Sequence, residues 1–119
     1  MAFFDNPIIR AESVQLFELY QRLVDLSSRG TNTLNHDDKI EYLEKVARVI
    51  ELQKVLYFRA KYSEEDDAFE FIQYLKNSAR LLGYSNGDVD ECFVSMQADI
   101  EKAIDLLQNG WQLLSTMLN

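Results

Sequence analysis

His36 and Cys92 are the only histidine and the only cysteine among 119 residues, so most chemistry that needs a group titrating near neutrality must pass through one of them. A Ser–His–Asp or Cys–His nucleophile needs the imidazole held by ordered elements, and His36 ends the polar stretch Thr31–Asn35, which reads as a connection. A di-iron helical centre needs two Glu-x-x-His pairs; the position three before His36 is Thr33. Cys92 stands beside Phe93 and reads as a packed thiol, and one cysteine excludes both an internal disulfide framework and a four-cysteine zinc site. The acids Glu64–Asp67 with Glu70 could chelate a divalent ion, but at a helix start such acids serve the free N–H groups and the dipole. Asn86–Asp90 lacks the ligand spacing and terminal Glu of a calcium loop, and no glycine-rich phosphate loop is present. Any two of the 20 acids could converge as an acid–base pair, yet no spacing singles out a pair. These readings predict no catalytic constellation, no cofactor and no metal.

Recognition chemistry is better represented. Tyr57, Phe58 and Tyr62, then Phe69, Phe71 and Tyr74, gather on both sides of one junction, with Arg59 and Lys61 interleaved. Such a group is either a core turning a corner or a protein-binding patch rich in Tyr and Arg. Stacking beside cations would also suit nucleic acid, but charge opposes that reading. Residues 1–36 carry net −1, residues 37–61 net +1 and residues 62–119 net −8, whereas phosphate binding requires a basic stripe. The expected contact residues are Phe3, Phe4, Tyr57, Phe58, Arg59 and Trp111. The acidic second half allows an alternative, an inhibitor or mimic that covers a basic surface of a partner.

The elements that must position these residues are helical. Four glycines and one proline are too few for the turns of a sandwich or barrel, while 47% apolar content supplies a core. Helix one is predicted over 7–29: Pro7 suits a first helical position, Asn6 or Asp5 caps it, and Ile9, Leu16, Leu19, Leu23 and Leu26 recur at helical spacing before Arg29 and Gly30. Helix two is predicted over 37–61 with Asn35 as cap. Its apolar surface spreads round most of the circumference, the mark of a central helix or one with a second partner. Helix three is predicted over 64–82, capped by Ser63 and stopped at Gly83. Helix four is predicted over 88–109, with Asn109-Gly110 as its stop or a flexible point within it, followed by a short amphipathic tail, 111–118, carrying Trp111, Leu114 and Leu118 on one side. Short connections make sequential helices antiparallel. The expectation is thus one all-α domain over 1–119, an up-and-down antiparallel bundle of four helices with a C-terminal tail, completing its core as a homodimer.

No basic n-region opens the chain, and its longest charge-free run, Leu106–Asn119, is too short for a bilayer. With a free thiol this predicts a reducing cytoplasm and no membrane partner. The opening Phe3-Phe4-Asp5, Ile9, Glu12 and Leu16-Phe17-Glu18 before Tyr20-Gln21, followed by Tyr57-Phe58-Arg59, Ser63-Glu64, Leu75-Lys76 and the Gly83 turn, resembles a small uncharacterised family found principally in cyanobacteria. The resemblance spans about residues 3–105 and is most specific in its N-terminal block; the 30–36 connection and the segment from Leu106 onward depart from it. It implies a cytoplasmic setting in a photosynthetic bacterium, either as an atypical cellular member or as a copy carried by a virus of such hosts. It brings no activity or catalytic residue with it.

Overall fold

The computed structural model describes residues 2–28, 34–84 and 86–118, with side chains as far as Asn109. Among the described residues there is no strand. A 3-10 turn, Phe3–Asp5, leads into α1 (Pro7–Ser28), α2 (His36–Lys61), α3 (Asp66–Leu81) and α4 (Val89–Leu118). The helical bundle expected from the sequence is therefore present, and its ends follow local chemistry. Asn6 Oδ1 accepts from the Ile8 and Ile9 N–H groups at 2.9 and 3.4 Å, with Pro7 first in the helix. Asn35 Oδ1 accepts from Asp38 N–H at 2.8 Å, and Asp88 Oδ1 from Glu91 N–H at 3.0 Å. Gly83 (φ +104°) closes α3, its N–H donating to Arg80 and that of Tyr84 to Ala79, both at 3.0–3.1 Å. These two crossed bonds satisfy carbonyls the helix leaves open, and the left-handed φ favours glycine.

Two boundaries differ from the expectation. The Ser63 hydroxyl takes the Glu65 N–H at 3.2 Å instead of capping a helix, and α3 begins at Asp66 behind Glu65, which makes no side-chain cap bond. The later start sets Asp67 in the first turn, where it bonds the distant N-terminal turn. The separate tail is also corrected: α4 passes without a break through Asn109 and Gly110 to Leu118. The stripe Phe93, Met96, Ile100, Ile104, Leu107 continues in the sequence through Trp111, Leu114 and Leu118 at steps of three and four. The Asn109 amide bonds back to Asp105 one turn earlier rather than shaping a turn. The predicted Arg29 and Gly30 stop of helix one lies outside the described residues.

Helix α2 is the spine, packed against each of the other three helices. Helix α1 runs antiparallel to it, with Glu12 paired to Arg59 and Arg22 to Glu41. Helix α4 runs antiparallel on another side, with Lys61 near Asp90 and Lys54 near Gln97. Helix α3 and the 3-10 turn cover only the C-terminal part of α2. One cluster joins Phe3, Ile9, Leu56, Ala60 and Ala68; a second joins Ile50, Tyr57, Leu75, Ala79, Val89, Cys92 and Phe93. The result is a rod measuring 61 × 29 × 21 Å with a radius of gyration of 17.3 Å, against about 13.5 Å for a compact chain of this length.

Candidate interaction surfaces

At one pole of the rod the N-terminal turn meets the α2–α3 corner. Phe3 is 7% exposed and lies edge-on to Phe4 at 5.0 Å, and Phe4 lies edge-on to Phe71 at 5.7 Å. The Asp67 carboxylate accepts the Phe4 and Phe3 N–H groups at 3.0 and 2.9 Å. These donors stabilise the anion and hold its pKa below the ordinary aspartate value, the Phe4 bond contributing most and partial desolvation opposing it. Sequence reading placed Asp67 among acids serving its own helix; nothing local signals a partner more than sixty positions away.

Beside this turn lies an open groove of about 450 Å³ lined by Phe3, Ile8, Ile9, Arg59, Tyr62 and Glu65. Arg59 grips Glu12 through two bonds, Nη2–Oε1 at 2.8 Å and Nε–Oε2 at 3.1 Å, so its planar guanidinium is fixed at the groove edge. Ile8 and Tyr62, at 59% and 85% exposure, offer apolar surface at the rim. The expected contact residues divide accordingly. Phe3 and Arg59 share the groove, and Phe4 packs toward Phe71. Phe58 is exposed, with the Lys61 ammonium 5.4 Å from its ring centre. Tyr57 is core, against Phe93 at 6.0 Å and beneath Lys61 at 5.1 Å. Burial raises its hydroxyl pKa, reinforced by Asp90. The Trp111 side chain lies outside the described residues.

A second surface was not singled out from the sequence. Phe17, Tyr20 and Val24 form an exposed stripe beside the buried stripe of α1. A search for apolar residues outside the Ile9–Leu26 stripe would have found them. Tyr20 is turned toward α3: its hydroxyl takes a bond from the Gln53 amide, and burial, then the proximity of Tyr74, raises its pKa. Gln53 and Tyr74 in turn edge an apolar cavity of about 180 Å³ with Ser78, Leu82 and Met96, whose wall includes Cys92. That thiol is 4% exposed, and burial raises its pKa, which keeps it protonated and unreactive. Among the described residues no three His, Cys, Asp or Glu side chains are grouped to hold a metal ion, and no helix is long and apolar enough to cross a membrane.

Helices around one spine, with grooves and apolar stripes between them, define a small all-α bundle. The chain belongs to the family described as a domain of unknown function, DUF1825, whose model matches residues 1–107. No curated protein and no solved structure matches it.

Proposed function

We propose that this protein is a non-enzymatic helical interaction module, an adaptor, assembly factor or regulator that receives a protein partner at the N-terminal corner. The observation that supports it most is the groove edged by exposed Ile8 and Tyr62 and by an arginine already fixed in place by Glu12. Rigid aromatic and arginine side chains beside apolar surface are what protein interfaces concentrate. On the family resemblance we place it in the cytoplasm of a cyanobacterium, as a cellular protein or one encoded by a virus of such hosts. The test is a photo-crosslinking residue at position 62 in those cells. A discrete adduct with another protein, lost in Ile8→Glu, is expected; a featureless smear unchanged by Ile8→Glu ends the reading.

A second reading has its own observation. Helix α3 exposes Asp66 and Glu70, with Glu64 and Glu65 exposed just before it, in the part of the chain that carries the whole net charge of −8. Such a face fits an acidic inhibitor or mimic covering a basic surface. Binding of that kind weakens steeply as ionic strength rises, whereas docking in the apolar groove does not.

A further inference from the structure

From the pole opposite the partner groove we infer that the half of the rod left uncovered by α3 is closed by a second copy of this chain, so that the protein is a homodimer. Helix α3 has 16 residues and α2 has 26, about 24 against 39 Å of helix. On the face that α3 covers, α2 presents Tyr42, Val46, Val49, Gln53, Leu56 and Ala60 at steps of three and four. The last two are sealed beneath Phe3 and Ala68; Val46 packs against the cluster that holds Leu75 and Ala79, and Tyr42, a turn farther along, stays half-buried.

Both walls of this trough carry exposed apolar side chains. On α1 the flank marked by Tyr20 continues toward this pole to Val24, 65% exposed. On α4 the side that carries Cys92 and Met96 continues at helical spacing past Asp99 and Ala103 to Leu106, 62% exposed. Three helices thus stand in the positions of a four-helix packing whose fourth member is missing.

Two observations name a second copy as the occupant. Two chains of net −8 repel wherever their acids meet, and the sequence of α4 carries no charged residue after Asp105. Lys39 and Lys45 make no ion pair among the described residues, and neither does Asp99 on α4. A two-fold pairing of the same patch gives those opposite charges partners across the seam.

The test is the solution mass of the full chain by light scattering at tens of micromolar, with Val24→Lys and Leu106→Lys, and with Val94→Lys as control. Val94 is as exposed as Leu106 and lies on the opposite flank of α4. The wild type and Val94→Lys are expected at twice 13.9 kDa. Val24→Lys and Leu106→Lys are expected to raise the dissociation constant by roughly tenfold or more, since each forces an ammonium into an apolar seam, with helical circular dichroism unchanged. A monomeric wild type, or a dimer indifferent to both trough substitutions, overturns the inference. Should either variant misfold, hydrogen exchange on the wild type decides: residues 20–28 and 100–109 must slow as concentration rises, and no change overturns it. The adduct at position 62 is read independently of all these outcomes, so the partner groove and the dimer stand or fall separately.

Discussion

Leu56 and Leu43 are the same residue on the same helix, and they live in different proteins, so to speak. Leu56 is 1% exposed beneath Phe3, Ala60 and Ala68. Leu43 is half-buried at an apolar pocket of about 200 Å³ shared with Leu34, Tyr42 and Leu107. The apolar period of α2 is as good at one end as at the other. Leu56 is closed by α3 and the N-terminal turn at one pole, whereas Leu43 lies off that stripe, toward Leu107 of α4, at the other. A helix announces which face it wants covered; how far along that face a neighbour reaches depends on the neighbour's length.

The sharpest way to break this comparison is to delete the same atoms from both halves. Leu56→Ala is expected to cost about 3–5 kcal/mol and Leu43→Ala about 1–2 kcal/mol, measured by urea unfolding at low protein concentration. Equal losses would show that the two halves are packed alike. At high concentration a Tyr42→Ala loss should grow if a second copy closes the trough, because that substitution then also weakens the interface.

Gly83→Ala comes next. An added Cβ would meet nothing within 4 Å, so the expected loss of about 1–2 kcal/mol is the cost of a left-handed backbone alone. It should appear as faster exchange at the Tyr84 N–H and a loosened α3, leaving the α1–α4 half unchanged. A loss spread evenly over both halves would mean that α3 props up the whole rod.

The smallest effect is confined to the N-terminal corner. Asp67→Ala should speed exchange of the Phe3 and Phe4 amides at neutral pH while the rest of the chain keeps its protection. Because the folded carboxylate sits below its ordinary value of 3.8, its contribution is complete above that value and disappears as pH falls through the lower folded pKa. In the wild type the turn should accordingly stay closed at neutrality and open only in strong acid. Opening on the neutral side of the carboxylate range would assign the hold to another group.

Most of the fold was legible because helix ends are local events. Asn6 with Pro7, Asn35, Asp88 and Gly83 each act within a few residues, and all lie at or beside the ends expected of them. Ser63 misled because its local bond competes with a tertiary one: the useful carboxylate in that run is Asp67, which reaches Phe3 and Phe4 rather than its own neighbours alone. Asn109-Gly110 misled because a turn signal is only permission to stop. With the apolar stripe unbroken on either side, continuing costs about 1 kcal/mol for the glycine, and the helix continues. Of the contact residues, Phe3 and Arg59 share a groove, whereas Tyr57 belongs to the core. An aromatic on a spine helix has neighbours on most sides, and sequence alone does not say which of those sides remains open.

The N-terminal turn is fastened beside the end of α2, and α4 runs past the beginning of α2 at the other pole, so the two ends of the described rod lie far apart along a 61 Å axis. Pulling them apart loads the α1–α2 and α2–α4 seams in shear, every side-chain row sharing the force, instead of peeling one contact after another. Mechanically the described helices would resist such a pull as a strut does, not as a tether.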